Sequence, residues 1–66
     1  MAKINRVLMR RLRREKGLTQ QELAEKTGIG QSYICKIESG DMEPSVKRLG
    51  KIAKALGTTV KELIKE

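Results

Sequence analysis

The chain contains no histidine, tryptophan or phenylalanine, and it has one cysteine (Cys35), one proline (Pro44) and one tyrosine (Tyr33). Without histidine and with a single thiol, no zinc site of Cys and His ligands and no Ser-His or Cys-His catalytic pair can be assembled, which excludes most enzyme chemistry. No metal, no cofactor and no enzymatic activity are expected. A lone thiol cannot close an internal disulfide. One aromatic ring provides no platform for stacking unpaired bases, which argues against a stacking-based RNA binder. The longest apolar run, Val7-Leu8-Met9, falls far short of the roughly 20 residues a membrane span needs, and the first residues lead into charges rather than an apolar leader core. The expected location is therefore cytoplasmic.

Positive charge is abundant. Fifteen Lys and Arg against eight Asp and Glu leave a formal +7 on 66 residues. That balance points to a polyanionic partner, nucleic acid first and an anionic membrane surface second. The bases are not spread evenly: residues 1–17 hold seven against Glu15 alone, and residues 45–57 hold Lys47, Arg48, Lys51 and Lys54 with no acid. Taken alone, Arg10, Arg11, Arg13 and Arg14 read equally well as a solvated helix face. A chain of this size buries only about 60% of its unfolded surface, so one domain spanning 1–66 is expected, with no room for a ligand-binding unit beside it.

Glycines and Pro44 punctuate apolar residues that recur at helical spacing, and alternating β-branched runs are absent, so the chain reads as all-α with five helices. At about 100° per residue, Ile4, Val7, Leu8, Met9 and Leu12 fall on one arc of a helix over about 4–16, with the arginines on the other side. Thr19 and Glu22 have capping-box spacing for a second helix over 20–27. Gly28 closes it, and a third helix over 31–39 follows, ended by Gly40. Ser45 caps a fourth helix whose apolar stripe is Val46, Leu49, Ile52, Ala53 and Leu56. Thr59 and Glu62 repeat the capping box for a fifth, carrying Val60, Leu63 and Ile64 to the end of the chain. On the third helix, Gln31, Ser32, Cys35, Lys36 and Ser39 share one face, opposite Tyr33, Ile34 and Ile37. Two short helices joined by a glycine turn, the second with one polar face, are the arrangement by which a helix-turn-helix enters the major groove.

The residues themselves resemble the Cro and phage-repressor (XRE) family, whose domain has the lambda-repressor fold. The resemblance lies in Leu12 to Ala24, then Gly28-Ile29, Ile34, Ile37-Glu38-Ser39-Gly40, Pro44-Ser45 and Ala53-Lys54-Ala55-Leu56-Gly57, and it covers about residues 6–64. It implies a compact five-helix fold with the helix-turn-helix at about 19–39. It further implies a sequence-specific regulator of transcription that binds double-stranded DNA, a repressor acting as a homodimer on a palindromic operator, without a small-molecule ligand and nucleoid-associated when bound. Residue by residue, it makes Gln31, Ser32, Cys35 and Lys36 the base readers, a role their chemistry suits. Gln20 becomes a phosphate contact and a brace for the first residue of the recognition helix, and Arg13, Arg10, Ser39 and Gly40 lie at the DNA backbone. Arg13 and Glu38 become a buried ion pair, and Val60, Leu63 and Ile64 the dimer contact. Asp41 and Glu43 depart from the pattern, standing where relatives often carry Lys or Arg. An antitoxin or adaptor module on the same scaffold is the alternative. A redox role for Cys35 is conceivable, although no second cysteine could resolve it.

Overall fold

A computed structural model describes residues 3–65, so the ends of the expected 1–66 domain, residues 1, 2 and 66, lie outside the described residues. Among the described residues, five helices pack around one core: α1 (Arg6–Glu15), α2 (Gln20–Thr27), α3 (Gln31–Ser39), α4 (Val46–Leu56) and α5 (Val60–Leu63). Two strands, β1 (Lys3–Ile4) and β2 (Ile64–Lys65), pair antiparallel with Lys3 opposite Lys65 and Ile4 opposite Ile64. Among the described residues, no helix is long and apolar enough to cross a membrane.

Local chemistry explains the boundaries. Asn5 starts α1 by accepting the Leu8 N–H at 3.1 Å. The α2 capping box is complete: Thr19 Oγ1 accepts the Glu22 N–H at 3.0 Å, and Glu22 Oε1 accepts the Thr19 N–H at 2.9 Å. Gly28, at φ +72°, makes the left-handed turn that releases α2 toward α3. Thr27 braces this turn, its buried hydroxyl donating to the Leu23 carbonyl at 2.9 Å and accepting the Ile29 N–H at 3.2 Å. Ser45 and Thr59 cap α4 and α5 by accepting the Arg48 and Glu62 N–H groups, each at 3.2 Å, but the Thr59 N–H gains no bond from Glu62, so the capping box expected there is only half made.

Met9, Leu23, Ile34, Ile37, Ile52, Leu56 and Leu63 are fully buried, drawing one side chain or more from every helix into a shared core. Each contributes about 1.5–3 kcal/mol by leaving water. Both faces of the helix-turn-helix are thereby fixed, because α2 packs on α3 and α4 while α1 packs on α3.

Several expectations need correction. Helix α1 begins at Arg6 rather than near residue 4, because Ile4 is extended, pairs with Ile64 and is buried beside the end of the chain. Val7 and Val46, both assigned to apolar stripes, are 69% and 79% exposed. Helix α5 stops at Leu63, since Ile64 turns extended to meet β1. Leu63 cannot serve as a dimer contact, because this chain's own core buries it completely.

Candidate nucleic-acid interface

Helix α3 exposes Gln31, Ser32, Cys35, Lys36 and Ser39, while Ile34 and Ile37 on its opposite side enter the core. Amphipathic spacing alone accounts for this division. The exposed face therefore carries a carboxamide, two hydroxyls, a free thiol and an ammonium. Their hydrogen-bonding chemistry matches what base edges present in the major groove.

Glu38, next to this face, is 4% exposed, and a carboxylate tolerates such burial only when paired. Arg13 supplies the partner: its Nε donates to Glu38 Oε2 at 2.7 Å and an Nη donates to Oε1 at 3.1 Å, a bidentate pair. The other Nη donates to the Leu18 carbonyl at 2.8 Å, which ties the α1–α2 link to the same group. Gln20 adds a third element, its Nε2 donating to Glu38 Oε1 at 3.2 Å. The Gln20 amide is thus bound to the last turn of α3, whereas the expected brace was to Gln31 at its start. One buried carboxylate locks α1, α2 and α3 together, and no buried side-chain polar atom among the described residues lacks a partner.

Arg10 is exposed between two arginines held at the C-terminal end of α3. Arg13 is bound to Glu38, and Arg6 donates through an Nη to the Ser39 carbonyl at 3.0 Å. Arg6, Arg10 and Arg13 stand at helical spacing along one edge of α1, which directs them toward the same end of α3. Arg6 escaped the sequence reading as a site residue. Its spacing to Arg10 and Arg13 was the available signal, but nothing local ties it to Ser39, 33 positions away.

In the loop from Gly40 to Pro44, the first three backbone donors are engaged within the chain. The Gly40 N–H donates to the Ile37 carbonyl at 3.2 Å, and the Asp41 and Met42 N–H groups both donate to the Lys36 carbonyl, at 2.9 and 3.2 Å. The exposed carbonyls that end α3 consume these donors, so Gly40 is not a free backbone anion contact. The Ser39 hydroxyl is likewise shared between the Lys36 carbonyl and Asp41 Oδ2, each at 3.1 Å. The two acids that depart from the family pattern have internal tasks: Asp41 accepts from Ser39, and Glu43 Oε1 accepts the Ile4 N–H at 2.9 Å.

Tyr33, at the edge of the exposed face, is half-buried and engaged twice by Arg48. The guanidinium lies 4.4 Å from the ring centroid and donates to the phenol oxygen at 3.1 Å. Val60 and Ile64 border a cavity of about 460 Å³ also lined by Tyr33, Pro44, Val46 and Leu49. Among the described residues, no group of three or more His, Cys, Asp or Glu could hold a metal ion.

A helix-turn-helix family profile matches residues 9–63. An uncharacterised HTH-type transcriptional regulator of Sinorhizobium fredii is 46% identical over 54 residues, spanning 82% of this chain and 70% of the relative. The transcriptional regulator SinR of Bacillus subtilis is 37% identical over 59 residues, spanning 88% of this chain and 53% of SinR, so the chain spans about half the length of that relative. The solved N-terminal DNA-binding domain of Bacillus subtilis SinR superposes with a TM-score of 0.86 at 35% identity, covering 92% of this chain and 90% of that one. With the matched segment running from α1 to α5 and the fold agreeing throughout, the chain belongs to the helix-turn-helix family of transcriptional regulators, of the Cro and phage-repressor (XRE) type.

Proposed function

We propose that this chain is a sequence-specific repressor of transcription that lays α3 in the major groove of double-stranded DNA. The observation that carries the reading is the undivided polar face of α3, held at a fixed angle by the buried Arg13–Glu38 pair. Gln31, Ser32, Cys35 and Lys36 read base edges: Gln31 pairs with adenine, Lys36 with guanine acceptors. Gln20, Arg10 and Arg6 meet phosphates, and Arg13 acts through its grip on Glu38. Similarity to the SinR DNA-binding domain supports this reading, as does the +7 charge, which favours a polyanion at any sequence.

A single α3 spans only a few base pairs, so the working unit is a homodimer on a palindromic operator, with half-sites about 34 Å apart. Val46, Val60 and Ile64 form the self-contact. Val46 projects from beside a cavity whose wall includes Val60 and Ile64, so each copy offers both an apolar projection and a recess. The protein acts where the chromosome is, in the cytoplasm.

In-vitro selection from random duplexes tests this directly. A palindromic consensus bound by two copies is expected, and failure to enrich any sequence would refute the reading. Val46→Asp should shift the complex from two copies per duplex to one.

A further inference from the structure

A second basic site lies away from the residues assigned to DNA. Lys26 in the last turn of α2, and Lys51 and Lys54 on α4, line a cavity of about 410 Å³ together with Thr27 and Ala55. Among the described residues, the only ion pairs are Arg11–Glu15 and Arg13–Glu38, so none of these three ammonium groups has a carboxylate within ion-pair distance. Helix dipoles account for part of the arrangement, since cations are favoured in the last turn of a helix, where Lys26 and Lys54 stand. They do not account for Lys51, which precedes that turn and sits three residues from Lys54 on the same helix surface, a like-charge spacing that destabilises a helix. Lys47 extends the row by one turn, and no acid interrupts α4.

The lining also limits what could occupy the site. Thr27 spends its hydroxyl on the α2–α3 turn, so recognition rests on ammonium charge over a small apolar floor. Tyr33, the single aromatic ring, lines a different cavity, and nothing here could hold a nucleobase. Lysine binds phosphate as a point charge without the planar geometry that carboxylate pairing favours.

We propose that Lys26, Lys51 and Lys54 form a binding site for a multiply charged phosphate anion, separate from the α3 reading face. Condensed phosphate free in solution and the phosphates of a second DNA segment share this chemistry. Amide chemical shifts of the full chain, titrated with inorganic pyrophosphate at physiological salt, test the site. Saturable shifts are expected at Lys26, Thr27 and Lys51 to Ala55, with the midpoint raised about tenfold in a Lys51→Gln/Lys54→Gln variant that has lost two exposed charge contacts. Both lysines are exposed, so the variant should retain the wild-type spectrum elsewhere. Shifts that do not saturate, that centre on α1 and α3, or that are unchanged in the variant would overturn the proposal. Repeating the titration with the selected duplex present identifies the source: pyrophosphate binding that persists marks a free anion, and displacement by excess duplex marks a second DNA segment. Because the pyrophosphate arm contains no DNA, its outcome is independent of whether α3 reads bases.

Discussion

The Gln20 side chain donates to Glu38 Oε1 at 3.2 Å, joining the first residue of α2 to the last turn of α3. This bond leaves the second amide hydrogen of Gln20 available while holding its carboxamide in one orientation. Gln20→Ala should therefore weaken binding to every duplex, because a braced phosphate contact is lost. The slope of log affinity against log salt should stay almost unchanged, because Gln20 carries no charge, whereas Arg10→Ala should lower its magnitude by about 1. Salt-dependent binding of the two folded variants checks this, and an unchanged affinity of Gln20→Ala for scrambled duplexes would place Gln20 off the backbone.

Removing the carboxylate altogether has a different consequence. Glu38→Ala leaves the Arg13 guanidinium largely buried without its partner, at a cost of about 3–5 kcal/mol. In a domain of this size that corresponds to a loss of more than about 10 °C in Tm, readable by thermal melting. An Arg11→Ala melt provides the contrast: the Arg11–Glu15 pair is exposed at 3.8 Å and should contribute little.

Reading should separate from holding. Gln31→Ala, and Lys36→Ala to a lesser degree, should lose about 1–3 kcal/mol on the selected duplex and almost nothing on a scrambled one. Equal losses on both duplexes would remove α3 from the reading role.

Gly40 lies at φ +89°, and a Cβ there would stand 2.5 Å from an Arg6 Nη. Gly40→Ala should cost at least about 1 kcal/mol from the left-handed backbone alone, and more from displacing Arg6. In an Arg6→Ala background the second contribution disappears, so a double-mutant cycle on urea midpoints should report coupling between these two positions.

Acid should weaken the start of α2. The Thr19 backbone N–H, and then its hydroxyl, hold the Glu22 carboxyl below the ordinary glutamate range. Because the folded value is the lower one, the unfolded chain takes up the proton first. The stabilisation is complete above the ordinary range and is lost as pH falls through the lowered value. Glu22→Gln keeps an acceptor for the Thr19 N–H but does not titrate, so its urea midpoint should vary less with pH across that interval.

Helices α2, α3 and α4 were legible residue by residue, because their caps and glycine stops are local signals: Thr19 with Glu22, Gly28, Gly40 and Ser45 act within one turn. The strand pair was not legible, since Ile4 becomes extended only through partners at Ile64 and Glu43, and no two-residue strand has a periodicity to read. Helical spacing put Arg13 on the polar arc, and its burial depends on a carboxylate 25 positions away, which only family resemblance suggested. Val46 shows the opposite failure: it fits an apolar stripe, yet it sits at the first turn of α4, past the edge of the core. At the site, the exposed face of α3 followed from spacing, whereas the attachment of Gln20 to Glu38 and of Arg6 to Ser39 required the assembled tertiary structure.

Pairing Lys3 with Lys65 brings the two ends of the described chain to one edge, and the Asn5 N–H secures them further by donating to the Leu63 carbonyl at 2.7 Å. The domain is thus almost a closed ring. A short linker should suffice to join its ends, making circular permutation a practical way to move the termini elsewhere. Any segment attached at either end would emerge from the same place, so two fused partners would compete for one edge of the molecule.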